Sequence, residues 1–245
     1  MGGVLKPPVN NLKYPFIVPG TGYMSELWSW DAYWESLSIK RAFEKYGEEK
    51  MAASGLPKEK AAEHIRGSVL NFLDAQESDG FIPTMVSAGG LFEGFFHNEY
   101  EKGTPMNQCL PFICQFALLA GEFGENYDFD TDKLVKYMTY YEKRQYDEKS
   151  GLFFWQNDVM IGVDNNPTVF YRPQRSGADI YLNSFVYLEY ASLAKLLEKS
   201  KDERASEIKA KAEKLKAAIN REMWDERDGI YYSQDIDMPK TEICV

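Results

Sequence analysis

The sequence predicts an all-α fold built from helical hairpins, arranged as a toroid or a solenoid. Six segments carry apolar residues at helical spacing, the connections between them alternate between short and long, and a weak internal repeat recurs at about the length of one hairpin plus its loop.

The first helix runs from Trp30 to Tyr46 and is ended by Gly47. The second spans Pro57 to Gln76, with Ile65, Val69, Phe72 and Leu73 on one face and Asp79-Gly80 closing it. The third extends from about Thr104 to Ala120 and stops at Gly121. It includes the longest apolar run, Cys109 to Gly121, which is interrupted by Gln115 and falls short of the roughly 20 residues of a bilayer span. A buried helix is expected there. The fourth starts at Asp130-Thr131, a good N-cap pair, and carries Leu134, Tyr137, Met138 and Tyr141 at helical spacing. The fifth, Ala178 to Lys199, is apolar nearly all round through Leu182, Phe185, Val186, Leu188, Leu193 and Leu196. The sixth, Lys201 to Trp224, shows one stripe of Ala205, Ile208, Ala212, Leu215, Ala218 and Ile219 under a Lys/Glu coat.

Within a pair the connections are short, as at Lys199 to Asp202. Between pairs they are long and rich in Gly, aromatics and Asn: Asp79 to Gly103, Asp147 to Gly177, and Asp225 onward. Such loops in a compact domain carry function or short strands. The repeat is Asp-x-x-x-Gly-Leu/Ile-Phe/Tyr, at Asp147 to Phe153 and again at Asp225 to Tyr231, with a related Asp79-Gly80-Phe81 after the second helix. An Asp/Gly pair directly after a helix is tight-turn chemistry.

The 245 residues suit one large domain, and no linker divides them. A net charge of −10 argues against nucleic acid and against an anionic membrane surface. The most Lys-rich stretch, Lys209 to Lys216, alternates with Ala, Glu and Leu as a solvated helix face does. The N-terminus, with Pro7 and Pro8, shows no secretory signal. Three cysteines, two of them in one apolar segment, read as free buried thiols in a reducing, cytoplasmic setting.

Aromatic residues make up 15% of the chain, and their clustering carries the functional signal. Glu26-Leu27-Trp28-Ser29-Trp30-Asp31-Ala32-Tyr33-Trp34 interleaves indoles with two carboxylates at a helix start. Indole faces stack on the C–H face of a sugar, and carboxylates accept its hydroxyls. Equally, Asp31 suits the positive end of a helix dipole and the Trp residues suit a core; the residues alone leave these readings level. A second cluster is Asn157 to Pro167, where Asp164 lies between an apolar run and an Asn-Asn-Pro turn. Desolvation there would favour a carboxylic acid able to donate a proton near neutral pH. Asp-Asn-Asn-Pro is also good turn chemistry in any protein, and from the residues alone that plainer role has the stronger claim. His64 and His97 have no His or Cys at ligand spacing, which argues against a transition-metal site. No Gly-x-Ser-x-Gly, P-loop or Gly-x-Gly-x-x-Gly is present. Carboxylate catalysis is what remains.

Along the chain come, in order, Val18-Pro19-Gly20, Glu26, Trp28-x-Trp30-Asp31-x-Tyr33-Trp34, Gln108-x-x-Pro111, Asp147 with Gly151-Leu152-Phe153, Gly162-Val163-Asp164-Asn165-x-Pro167, Asn183, and Trp224-Asp225 with Gly229-x-Tyr231-Tyr232. This order of motifs resembles the inverting α-glycosidases of glycoside hydrolase family 63 and the related trehalases. Trp-x-Trp-Asp and Gly-x-Asp-Asn are the most specific. The resemblance implies an (α/α)6 barrel with the sugar pocket among the long loops. It implies Asp164 as general acid, and Trp28, Trp30, Asp31, Gln108, Gly162 and Asn165 as substrate-binding residues, with no metal and no cofactor.

Three hairpins are half of such a ring. The expectation is therefore a single domain over residues 1–245 that is C-terminally incomplete, with the second carboxylate, the base, in the missing half. Such a chain would hydrolyse an α-glucoside or α-mannoside with inversion only when complete. Alone it would be inactive, and it would self-associate or need a complementary C-terminal half. The alternative is a non-catalytic carbohydrate-binding or helical scaffold module that keeps the aromatic pocket.

Overall fold

In a computed structural model, which describes residues 3–22, 25–89, 93–170, 172–236 and the backbone of 242–243, all six predicted helices are present. They are α1 (Ser29–Tyr46), α3 (Lys58–Asp74), α5 (Ile113–Gly124), α6 (Thr131–Arg144), α7 (Ile180–Ser200) and α8 (Ala205–Glu222). Two short helices lie among them, α2 (Glu48–Ala53) before α3 and α4 (Phe95–Glu101) inside the first long loop. Local chemistry sets the ends. Gly47 leaves α1 at φ 81°, the Asp130 carboxylate accepts from the Lys133 amide at 3.0 Å, and Asp179 caps α7 through the Tyr181 amide at 3.0 Å.

The third helix differs most from expectation, beginning at Ile113 instead of about Thr104. Pro105 and Pro111 fall in the intervening stretch, and the residue before a proline is disfavoured in helical conformation. Residues 107–110 instead bond outward, with the Cys109 amide donating to Ile82 O at 3.0 Å. The helix also continues past Gly121. That glycine permits close approach, since a Cβ there would sit 2.4 Å from the Tyr127 ring. The sixth helix starts four residues late because Asp202 turns the chain, accepting from the Arg204 amide at 2.9 Å.

Consecutive helices form three hairpins: α1 with α3, α5 with α6, and α7 with α8. Helix α5 packs on α1, α3 and α7, and α6 packs on α7. The second pair meets chiefly through the extended segment ahead of α5, where the Tyr141 and Tyr137 hydroxyls donate to Cys109 O at 2.6 and 3.3 Å. Cys109 and Cys114 are buried and unbridged, and burial keeps both thiols protonated. Cys244 lies outside the described residues. Among the described residues no helix is long and apolar enough to cross a membrane.

Short antiparallel strands tie the loops. They are β1 (Leu5–Lys6) with β2 (Phe16–Ile17), β3 (Glu26–Trp28) with β4 (Met85–Ser87), β5 (Tyr146–Asp147) with β6 (Leu152–Phe153), and β8 (Trp224–Asp225) with β9 (Ile230–Tyr231). A three-stranded sheet places β10 (Ser233–Asp235) between β7 (Gly177–Ala178) and β11 (Glu242–Ile243). The two Asp-x-x-x-Gly repeats are the turns of β5–β6 and β8–β9, with Asp147 accepting from the Ser150 amide and Asp225 from the Asp228 amide, each at 2.7 Å.

Two long-range fastenings hold the hairpins in place. The segment before β2 crosses α3, with Tyr14 and Asn71 exchanging two hydrogen bonds at 3.1 and 2.9 Å and the Ile17 amide donating to Ser68 Oγ at 3.1 Å. A Cβ at Gly67 would lie 2.0 Å from Pro15 O, so the crossing needs glycine. The second fastening is Glu189 of α7, fully buried, whose two carboxylate oxygens accept from the Cys114 and Gln115 amides at 2.7 and 2.9 Å. The residue preceding α5, Phe112, has no side-chain acceptor, so Glu189 supplies one to first-turn N–H groups that otherwise have no partner.

Candidate active site

Strand β3 delivers the Trp-rich motif to the start of α1. Trp28 pairs with Met85 across the β3–β4 ribbon, and its indole N–H donates to Glu26 at 3.2 Å. The Ser29 amide donates to Thr84 O at 3.0 Å, which fixes how the chain enters the helix. Trp30 and Asp31 follow in the first turn, both half-buried. Burial raises the Asp31 carboxyl above the usual range, partly offset by its own backbone N–H. One turn on, Glu35 is pushed up to about 7 by burial and by the Asp31 charge. These two carboxyls hold protons more readily than free carboxylates.

The indoles stand in a wall of rings contributed by α1, α7 and the entrance to α5. Trp30 lies edge-on to Phe112 at 5.2 Å, Trp34 at 5.7 Å and Tyr181 at 5.8 Å, and Phe185 closes the group 5.1 Å from Tyr181. Pairs four residues apart on each helix put these rings on one face. Among the described residues, three buried side-chain polar atoms lack a partner: Trp34 Nε1 and the Tyr181 hydroxyl in this wall, and Glu35 Oε2 next to Trp34 in α1. Unpaired buried polar groups are costly and tend to be retained for a reason other than stability.

The loop that carries Asp164 is pinned at both feet. At the first, buried Asn107 accepts from the Gln156 amide at 2.8 Å and donates to Asn157 O at 3.0 Å and Val159 O at 2.9 Å. At the second, Asn166 donates to Asp179 at 2.7 Å and accepts from the Thr168 amide at 3.0 Å. Asp179 also receives the Trp155 indole N–H at 3.3 Å and the Ser233 hydroxyl at 3.1 Å. The turn anticipated in Asp-Asn-Asn-Pro is therefore made by the side chain of Asn166. Asp164 is exposed and, among the described residues, makes no side-chain hydrogen bond or ion pair.

Between its feet the loop takes three left-handed residues, Met160, Gly162 and Asn165, at φ 58°, 80° and 55°. Gly162 seats it against the wall. A Cβ there would sit 3.1 Å from Leu110, 3.5 Å from the Tyr181 hydroxyl and 3.6 Å from the Trp30 ring. So Trp30 and Gly162 meet directly, with Asp31 beside Trp30 and Asp164 and Asn165 in the exposed part of the same loop. Trp28 closes the strand that leads into this wall.

Gln108 requires correction. It is 0% exposed, and its amide is fully engaged: Oε1 accepts from the Ile82 and Cys109 amides at 2.8 and 3.1 Å, and Nε2 donates to Gly80 O and Tyr137 O at 2.9 and 3.1 Å. It is a strut beneath the site with nothing left for a sugar. Sequence reasoning also missed Glu35, Tyr181, Asn107 and Asp179. Of these only Glu35 had a signal, its place four residues after Asp31 on the same helix.

Asn107→Ala is expected to free the first foot, lowering local stability by about 1–3 kcal/mol. Amide exchange by mass spectrometry should then speed up across residues 156–162 while α7 keeps its protection; unchanged exchange there would dismiss the pinning role.

A family model described as the mannosylglycerate hydrolase MGH1-like glycoside hydrolase domain matches residues 65–241. Among solved structures, the chain is similar to a GH63 mannosylglycerate hydrolase from Thermus thermophilus in complex with glucose. The TM-score is 0.61 at 16% identity, covering 94% of this chain and 64% of that one. It is also similar to neutral trehalase from Saccharomyces cerevisiae, with TM-score 0.56 at 16% identity over 91% of this chain and 48% of that one. A D-mannose isomerase follows with TM-score 0.51 at 11% identity, over 89% and 50% of the two chains. No curated protein sequence matches. The chain thus spans less than two thirds of these structures' length. At such identities the likeness establishes the fold, an all-α (α/α) toroid of which this chain carries three hairpins. Glycosidases and an isomerase share it, so the fold does not choose the chemistry.

Proposed function

Because the chain belongs to the mannosylglycerate hydrolase MGH1-like glycoside hydrolase family, we propose that it supplies the acid side of an inverting α-glycosidase site, with Asp164 as general acid. The observation that carries this reading is the seating of Gly162 on Trp30 and Tyr181, because it brings the Asp164 loop and the Trp-Asp wall to one face. Trp28 and Trp30 take the apolar face of the sugar, and Asp31 accepts its hydroxyls. Gly162 and Asn165 shape the loop around the bound ring. Asp164 then protonates the departing glycosidic oxygen.

An inverting site needs a second carboxylate about 6.5–9.5 Å from the acid to activate water on the opposite face of the sugar. We assign that base to protein outside these 245 residues; the solved mannosylglycerate hydrolase is matched over 64% of its length, which leaves room for it. A general acid also works in a water-poor setting, and Asp164 is exposed here, so sugar and an opposite wall must cover it. The 245-residue chain alone is accordingly expected not to turn over glycosides.

The substrate class is an α-glucoside or α-mannoside with a small aglycone, such as mannosylglycerate, glucosylglycerate or trehalose. The support is family membership together with the named activities and ligands of the structural relatives, one of which holds D-glycerate. Proton NMR of the first sugar released by the complete enzyme tests the reading. The β anomer from an α-glycoside is expected, and the α anomer would reject inversion. Binding without release of any sugar would favour a carbohydrate-binding module.

A further inference from the structure

Away from the sugar wall, the turn that follows α3 meets α4. Glu77 is held there by its own backbone, its amide donating to Phe81 O at 2.8 Å and its carbonyl accepting from the Gly80 amide at 3.0 Å. On α4, Tyr100 lies flat on Phe81, with ring centroids 5.4 Å apart and planes 5° from parallel, and this fixes which face of the short helix looks at the turn. His97 and Glu101, four residues apart, stand on that helix, and His97 Nδ1 lies 2.6 Å from Glu77 Oε1. One potential ligand atom from each of Glu77, His97 and Glu101 lies within 4.8 Å of the others.

We propose that Glu77, His97 and Glu101 form a binding site for a divalent first-row transition-metal ion, with zinc as the probe. One imidazole and two carboxylates are an N/O donor set suited to such ions, and three protein ligands leave positions for water. Charge favours a cation. Among the described residues neither Glu77 nor Glu101 pairs with a Lys or Arg, whereas the neighbouring Glu99 is taken by Lys102 at 2.6 Å. Room for metal-bound water is present, because Glu77 and His97 line one cleft of about 290 Å³ and Glu101 lines another of about 520 Å³.

Ligand atoms around a common zinc ion at 2.0–2.2 Å stand about 3–3.5 Å apart. The side chains, His97 and Glu101 exposed and Glu77 half-buried, therefore have to shift by only about 1 Å, the ion taking the place of the proton shared by His97 and Glu77. That exchange makes binding proton-linked. Metal ligation needs the deprotonated imidazole and carboxylates, so affinity should fall as pH is lowered. The site escaped sequence reasoning because only His and Cys partners were sought at ligand spacing, while Glu101 is four residues from His97 and Glu77 twenty residues before it. A bound ion would fasten α4 to the end of α3. Phe96 and Glu99 of α4 line an apolar cleft together with Val159 and Met160 of the Asp164 loop, so the fastening would also steady that border.

Calorimetric titration of the chelator-treated 245-residue chain with zinc chloride tests the site, independently of any glycosidase activity. One ion per chain with proton release is expected. Affinity should drop roughly tenfold or more in His97→Ala and in Glu101→Gln, since even outer-shell changes at metal sites commonly cost that much. Both residues are exposed, so circular dichroism of the variants should match the parent. No zinc uptake, or uptake unaltered when His97→Ala and Glu101→Gln are combined, would show that His97 and Glu77 are an ordinary ion pair and overturn the proposal.

Discussion

Asp164→Asn in the complete enzyme is expected to lower kcat about 10²–10⁴-fold with little change in KM, the range that general acid catalysis contributes. The substitution is nearly isosteric and removes only the ability to donate the proton. Asp164 makes no side-chain hydrogen bond or ion pair among the described residues, so the loop pinned by Asn107 and Asn166 should keep its shape and the melting temperature should not move. A fall in kcat at constant stability is thus a chemical effect. The competing acid is Glu35, which burial and Asp31 push up to about 7. Kinetics of Asp164→Asn and Glu35→Gln side by side decide between them: loss confined to Glu35→Gln would move the proton donor to α1 and end the assignment of Asp164.

Glu189→Ala is expected to destabilise the fold by about 2–5 kcal/mol, because it strands the Cys114 and Gln115 amides in the core without an acceptor. The pH dependence has a definite sign. Burial pushes Glu189 up to about 7 from 4.5, so the folded protein holds this proton more tightly than the unfolded chain does. The resulting stabilisation is complete below about pH 4.5 and is lost as pH rises through 7, an effect on the order of 3 kcal/mol. Glu35, half-exposed, adds a smaller effect of the same sign. Urea midpoints measured from pH 4.5 to 8 should therefore decline, and Glu189→Gln, which cannot ionise, should flatten most of that decline. An equal slope in both proteins would mean that Glu189 is not the group responsible.

The helices were legible because each signals itself within a few residues: Gly47 and Asp130 mark ends, and apolar spacing marks faces. The misplaced start of α5 shows the limit, since an apolar run looks helical until Pro105 and Pro111 are weighed as breakers. Trp30, Asp31 and Gly162 could be chosen from motif resemblance, but nothing local said that a loop some 130 residues downstream would rest on Trp30. Gln108 was misjudged for a related reason. Its role is set by four backbone partners, at Gly80, Ile82, Cys109 and Tyr137, three of which lie far from it in sequence. Glu189 was invisible for the same cause, a polar residue in an apolar helix whose partners belong to another helix.

The crossing of α3 by residues 14–17 imposes an order in time. Its bonds join residues 51 and 57 positions apart, whereas the α7–α8 connection closes over a handful. Closing the longer loop costs more chain entropy, so the local hairpins are favoured to form first. The groove at Gly67 exists only once α3 is a helix, and the Pro15 carbonyl needs that groove because no side chain may stand there. The N-terminal segment is thus a late arrival in folding, and by the same reasoning it is the first to peel away as the protein begins to unfold.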